Sequence, residues 1–126
     1  MKNTLRSPRS KEIKRLRERA DALIQEITRA EHPVCEYCGG RTQVGHHIFT
    51  KGSSSALRYM RENIAALCNG CHFSHHNGNP RIHEKIIADR GGRRWFRRME
   101  KSSNELTKRS KAYYLGVIEM LEGVMT

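Results

Sequence analysis

The chain is organised around residues 35–76, which read CEYCGGRTQVGHHIFTKGSSSALRYMRENIAALCNGCHFSHH. This stretch contains two C-x-x-C pairs, Cys35 with Cys38 and Cys68 with Cys71. Each pair places two sulfurs about one tetrahedral edge apart, and two such edges close a site of four thiolates. A thioredoxin-like redox role fits less well, because the first pair runs into two glycines instead of opening a helix. The spacing therefore predicts a closed site that holds a structural zinc ion.

Five of the seven histidines lie in the same stretch, at His46, His47, His72, His75 and His76. On a helix, His72 and His76 are one turn apart and point the same way, so their imidazoles can share an ion. A third ligand from a strand would complete an open metal site. Neighbouring strand residues face opposite sides, so we assign His46 to the metal and His47 to accepting a proton from water.

Asn63 lies between the histidine pair and the second cysteine pair. Its amide can donate and accept at once, which suits holding a histidine ring or a loop carbonyl in place. Together, His46-His47, Asn63 and Cys71-His72 resemble the HNH (ββα-metal, His-Me finger) nuclease family, in its phage-type variant braced by zinc knuckles. Asn63 lies sixteen residues after His47, His72 nine after Asn63 and His76 four after His72, close to the arrangement in the nuclease colicins. The resemblance covers about a third of the chain; a fainter one, over residues 58–79, is to phage recombination proteins of the NinG type.

The resemblance implies a metal-dependent endonuclease that hydrolyses DNA phosphodiester bonds. In that family the first histidine of the pair and the helix histidines bind the catalytic ion, which implies His46, His72 and His76 as ligands. By the same resemblance His47 and Asn63 complete the catalytic site, with His47 as general base and Asn63 as a structural residue. His75 stays open as an alternative third ligand or a phosphate contact. The catalytic ion is expected to be Mg²⁺ or Mn²⁺, with Ni²⁺ and Zn²⁺ as alternatives, since imidazole favours the later metals and cellular supply favours magnesium.

The predicted fold is α+β, a small ββα-metal finger over residues 35–78 braced by the zinc site and flanked by long amphipathic helices. The core elements expected are two strands and a short helix capped by Asn69, over residues 42–49, 63–67 and 70–77. We expect one domain, because 126 residues are too few for two independent cores.

The flanking regions are predicted to be helical. A flexible basic arm over residues 1–9 precedes an N-terminal helix over residues 10–31, whose apolar residues recur at helical spacing. Residues 79–126 form the C-terminal part, with one helix starting at Pro80 and ending at Gly91-Gly92. A second long helix is expected over residues 104–123, with Leu106 on its apolar stripe.

The net charge points to a polyanionic partner. Lys and Arg number 24 against 13 Asp and Glu, a formal charge of +11, which favours DNA over a membrane surface. The predicted nucleic-acid contacts are Lys51, Arg58, Arg61, Arg93, Arg94 and Arg97. Trp95 and Phe96, among the last of these, are expected to pack in the core and not on bases. The expected location is the reducing cytoplasm of a bacterial or phage-infected cell.

Three functions follow from these patterns. The first is a weakly sequence-specific HNH endonuclease that nicks DNA or cuts both strands. The second is a structure-specific recombination nuclease, and the third is a zinc-braced DNA-binding module without catalysis. The protein is expected to be a monomer, or a homodimer paired through its long terminal helices.

Overall fold

Five α-helices and a two-stranded sheet make up the part of the chain that the computed structural model describes, residues 7–51 and 54–126. In order along the chain they are α1 (Pro8–Glu31), β1 (Val44–His47), one turn of 3-10 helix (Arg61–Asn63), β2 (Ile64–Leu67), α2 (Asn69–His76), α3 (Arg81–Arg90), α4 (Gly92–Ser103) and α5 (Lys111–Met125). This mixture confirms the predicted α+β class. No helix in these ranges combines the length and the apolar character needed to cross a membrane.

Helix α1 begins earlier than predicted. Pro8 lies in its first turn, where the missing N–H has no intrahelical partner to lose. The Ser7 hydroxyl caps the helix by accepting a hydrogen bond from the Ser10 amide at 3.1 Å. Residues 7–9 therefore do not belong to a flexible arm, and the remainder of the predicted arm, residues 1–6, lies outside the described residues. The helix ends before Pro33, as expected.

The strands β1 and β2 pair antiparallel, with Val44 opposite Leu67 and His47 opposite Ile64. Both are shorter than the predicted ranges 42–49 and 63–67. The residues before Val44 pair instead with the chain ahead of the first cysteine, through an isolated bridge between Val34 and Arg41. The sheet is therefore small, and its first strand ends at His47, the second residue of the histidine pair.

Helix α1 closes over one end of this sheet. The Gln25 side chain donates to the Gly45 carbonyl at 2.8 Å and accepts from the Gly45 amide at 2.7 Å. A Cβ at this glycine would lie 2.9 Å from Ile64 Cγ2, closer than side chains pack. Gly45 therefore lets the helix approach the strand that carries His46 and His47.

Helices α3 and α4 form a second packed cluster with the sheet. Ile82, Ile86, Trp95 and Met99 are buried there with Leu57 and Leu67. The ring of Phe96 stacks on Phe49 at a centroid distance of 5.0 Å, so the expectation that Trp95 and Phe96 pack in the core is confirmed. Gly91 and Gly92, with φ of 129° and 69°, separate the two helices at the predicted break.

The last helix begins later than predicted. Helix α4 ends at Ser103 with Asn104 as its C-cap, and α5 starts at Lys111 behind the N-cap Ser110. Leu106 lies between the two helices and is fully exposed, so its placement on a core stripe was wrong. Helix α5 packs on α1 through Tyr114, Val117 and Leu121.

Candidate metal centres and catalytic cleft

The four cysteines converge as predicted. Their sulfur atoms all lie within 4.8 Å of one another, and the sulfurs of Cys38 and Cys68 are 3.6 Å apart. A tetrahedral ion with Zn–S bonds of about 2.3 Å places two ligand sulfurs about 3.8 Å apart. The thiol cluster therefore has the dimensions and the donor atoms of a closed site for a metal ion such as zinc.

Two local structures hold the thiols. In the first, the Gly39 amide donates to the Cys35 carbonyl at 3.1 Å and the Gly40 amide donates to the Cys38 sulfur at 3.3 Å. Gly39 has a φ of 80°, a conformation that favours glycine. In the second, the Cys68 sulfur caps α2 by accepting from the Cys71 amide at 3.4 Å. The prediction that Asn69 caps this helix was wrong, because the thiol occupies the capping position.

The protonation of the thiols agrees with a cluster that binds a cation. Burial opposes ionisation of Cys35, but hydrogen bonds from the backbone around Cys38 and Cys68 outweigh it and lower its pKa to about 6. Burial and the neighbouring thiols raise the pKa of Cys71 above the usual value. The Cys35 thiol therefore ionises readily and the Cys71 thiol resists ionisation, and a bound divalent ion would stabilise the thiolate form of both.

Five imidazoles gather beside the sheet. The His46 ring, on β1, lies with its centroid 5.0 Å from His72 and 5.7 Å from His76 on α2. The Nε2 atoms of His72 and His76 are 2.9 Å apart, and the ligand nitrogens of these three residues lie within 4.8 Å of one another. The structure thus brings together the three histidines that the sequence predicted as ligands.

Two further rings complete this cluster. His75, left open as a ligand or phosphate contact, lies 4.8 Å from His46 between ring centroids. His83, which no sequence pattern assigned to the site, lies 4.9 Å from His46. His83 reaches the cluster because the turn from Gly78 to Pro80 brings the first turn of α3 back against α2. The sequence around this turn does not indicate in which direction α3 leaves it.

Four imidazoles of the cluster have lowered pKa values. Burial and then the charges of the neighbouring rings lower the pKa of His46 to about 3. Burial likewise lowers the pKa of His83 to about 4, and the pKa values of His72 and His75 are lowered for the same reasons. A neutral imidazole offers a free lone pair, so at neutral pH the rings of His46, His72, His75 and His83 can serve as metal ligands.

His47 makes a different contact from its neighbour. It is buried, and its Nε2 atom lies 2.9 Å from the Arg58 carbonyl oxygen. Because a carbonyl only accepts, Nε2 carries the hydrogen and Nδ1 of the neutral ring is left with its lone pair. Burial lowers the pKa of His47 and outweighs the opposing effect of the Arg58 carbonyl. At neutral pH the ring is therefore an unprotonated base with a fixed tautomer.

An open cleft of about 420 Å³ joins these groups. His46, His47, Lys51, His72 and His76 all line it. Lys51 is exposed at the cleft, and its charge helps to keep the His47 ring neutral. The three predicted metal ligands, the predicted general base His47 and the predicted phosphate contact Lys51 therefore line the same cleft.

Arg58 does not contribute a free cation. Its guanidinium binds the Asp21 carboxylate through two hydrogen bonds of 3.0 and 2.6 Å, and its side chain is only 12% exposed. The prediction that Arg58 contacts nucleic acid is therefore corrected, since the ion pair commits the side chain to α1. Asp21 also accepts from the Tyr59 hydroxyl at 2.8 Å, so α1 fixes the segment whose carbonyl orients His47.

Asn63 acts on the backbone of the loop after β1. It is fully buried, accepts from the Phe49 amide at 2.7 Å and donates to the carbonyls of Phe49 and Leu57 at 2.9 and 3.1 Å. Of the two roles that the sequence allowed, holding a loop carbonyl is the one observed. Asn63 therefore positions the backbone at Phe49 and at Leu57, the residue before Arg58.

The other predicted nucleic-acid contacts lie away from the cleft lining. The Arg61 guanidinium pairs with the Glu31 carboxylate. Arg93, Arg94 and Arg97 are exposed on α4, and no ion pair among the described residues involves them. They form a cationic surface, which we call the α4 arginine surface.

Chemically, the cleft offers neutral imidazoles for a divalent ion, a buried ring that can accept a proton, and a lysine ammonium for an anion. Comparison of the chain with protein-family models, with curated proteins and with solved structures found no match. Inference about function therefore depends on this geometry and on the sequence patterns.

Proposed function

We propose that this protein is a metal-dependent HNH-type endonuclease that hydrolyses DNA phosphodiester bonds with weak sequence specificity. The observation that carries the proposal is the shared cleft, in which the imidazoles of His46, His72 and His76 converge beside His47. A non-catalytic zinc-braced module would need neither this convergence nor a base with a fixed tautomer.

The order of elements supports the same assignment. Antiparallel β1 and β2 are followed directly by α2, and the first strand and the helix supply the ligands. This is the order that the resemblance to a ββα-metal finger implies. The cysteine cluster joins the turn before β1 to the start of α2, so a zinc ion bound there would brace the finger.

Each residue of the cleft has its own role in the proposed hydrolysis. A divalent ion held by the three imidazoles would stabilise charge on the scissile phosphate and on the leaving oxygen. His47 accepts a proton from the attacking water at Nδ1, while its Nε2–H stays bonded to the Arg58 carbonyl. The Lys51 ammonium attracts a phosphate to the cleft. Asn63 and Asp21 keep the connecting loop, and hence the Arg58 carbonyl, in place.

Cleavage of supercoiled plasmid tests the proposal. Zinc-loaded protein is incubated with plasmid and Mg²⁺, Mn²⁺, Ni²⁺ or Zn²⁺, with a parallel sample in chelator. Open circles or linear molecules should form with at least one ion and not in chelator. Open circles that precede linear molecules indicate nicking, as expected of a monomer with one site, whereas linear molecules formed first indicate cleavage of both strands, as expected of paired protomers. Folded protein that binds plasmid but leaves it intact with every ion would identify a binding module instead.

The α4 arginine surface is expected to make DNA binding sensitive to salt. Removing one cation that neutralises a phosphate should reduce the slope of log affinity against log salt by about 0.9. Combined Arg93→Gln, Arg94→Gln and Arg97→Gln should therefore flatten this slope by about 2 to 3 and weaken binding to all sequences alike. Fluorescence anisotropy with a labelled duplex at several salt concentrations measures it.

A matched control removes three cations that are already ion-paired. Lys14, Arg19 and Lys111 pair with Glu18, Glu122 and Glu12, and their combined replacement by Gln changes the net charge by the same amount. The control should keep the wild-type slope. Equal slopes for the two triple variants would show that net charge, and not the α4 arginine surface, drives binding.

A further inference from the structure

The histidine cluster contains a second set of three imidazoles. His46, His75 and His83 place their ligand nitrogens within 4.8 Å of one another. The Nε2 atoms of His46 and His83 are 2.7 Å apart, and the rings of His75 and His83 stack at 3.9 Å with an interplanar angle of 15°. Of these three residues, the proposed catalytic site uses His46 alone.

The spacing of these three rings is also close to that of a metal site. A neutral ring can donate from one nitrogen only, so the His46 and His83 pair satisfies itself only if one ring adopts the Nε2–H tautomer and the other does not. Ligand nitrogens on a tetrahedral zinc ion lie about 3.3 Å apart. The His46 and His83 side chains would reach that distance by moving apart by roughly half an ångström. The three rings lie on three different elements, with His46 on β1, His75 on α2 and His83 on α3.

The burial and the donor atoms of the three residues also suit a metal site. His46 is buried, and His75 and His83 are partly buried. One divalent ion can use a lone pair from each of the three rings at once, and the ring centroids of His75 and His83 both lie within 5 Å of His46. Three imidazoles without carboxylates select a late first-row ion over magnesium.

We infer that His46, His75 and His83 form a second site for a late first-row divalent transition ion, and that this site competes with the first for His46. An ion in the second site holds His46 toward α3, so the set formed with His72 and His76 is left with two ligands. The inference depends on the proposed function only for the identity of the competing site. Binding of a transition ion such as zinc to the second site would then regulate the protein by withdrawing His46 from the metal site in the cleft.

Cobalt binding to zinc-loaded protein tests the inference. The probe is Co²⁺, and zinc and cobalt are both counted by elemental analysis after gel filtration. The wild type should bind about one cobalt beyond its zinc. The His72→Ala, His76→Ala double variant should still bind about one through the second set, and the His75→Ala, His83→Ala double variant about one through the first set. A variant with all four changes should bind none.

Two results would overturn the inference. Loss of cobalt from the His72→Ala, His76→Ala protein, with its zinc retained, would show that the second set does not bind an ion. Two cobalt ions on the wild type would show that the sites do not compete. Unchanged zinc content and thermal unfolding confirm that each variant is folded. Because the measurement reads ion binding and not DNA cleavage, it fails or succeeds independently of the nuclease proposal.

Discussion

Replacing Cys71 by serine is expected to release the structural ion and to unfold the core around the sheet. A serine hydroxyl is a poor zinc ligand, and three thiols leave a closed site incomplete. Apparent binding free energies of structural zinc are about 10–16 kcal/mol, comparable with the whole stability of a domain, about 5–15 kcal/mol. An ion bound by the four thiols would join the turn at Cys35 to the first turn of α2, so its loss would free the helix that carries two of the proposed catalytic ligands.

Zinc content and thermal unfolding measure this effect together. The variant should bind no zinc after gel filtration, and its melting temperature should fall by on the order of 10 °C or more. Asn69→Ser provides a matched control, since Asn69 is exposed between Cys68 and Cys71 and its side chain is no ligand. The control should keep its zinc. Full zinc and unchanged melting in Cys71→Ser would refute the assignment of the cysteine cluster.

Replacing His46 by alanine is expected to abolish the response of DNA cleavage to divalent ions. His46 is the one residue common to both imidazole sets, so its loss leaves two ligands in each. The rate of plasmid cleavage in the presence of ion should fall to the rate in chelator, while the zinc on the cysteines stays bound.

The control for this variant is His32→Ala. His32 is exposed at the end of α1, where its contribution to the cap is a backbone N–H bonded to the Thr28 carbonyl. It should cleave plasmid at the wild-type rate. If His46→Ala kept a wild-type response to the ion, the ion would have to bind elsewhere and the cleft assignment would be wrong.

Local chemistry made part of the fold predictable. The cysteine spacing predicted the clustering of four thiols because two C-x-x-C turns can each supply one edge of a tetrahedron. The histidine pair on a strand, and His72 and His76 one helical turn apart, have their geometry fixed by strand and helix periodicity. Within each cysteine pair and each histidine pair the geometry depends on residues near one another in sequence, and the two cysteine pairs, about 30 residues apart, are linked by the four-ligand requirement of one ion.

Features that depend on long-range contacts were missed. The charge of Arg58 is visible in the sequence and suggests a phosphate contact, whereas its ion-pair partner Asp21 lies 37 residues away. His83 belongs to the cluster only because the turn after α2 brings α3 back to β1. Leu106 matched a helical spacing, but the chain leaves α4 at Asn104 and re-enters a helix only behind the Ser110 cap.

The central proposal is that His46 binds the catalytic ion and His47 acts as the general base. It is tested most directly by measuring how fast the His47→Ala variant nicks plasmid in a single turnover, with saturating protein and ion. The rate should fall by about 10²–10⁴ relative to the wild type, because general-base assistance is removed. Ion content, zinc content and DNA affinity should stay at their wild-type values, since His47 is no ligand. A His47→Ala protein that nicks plasmid at the wild-type rate would contradict the proposed mechanism.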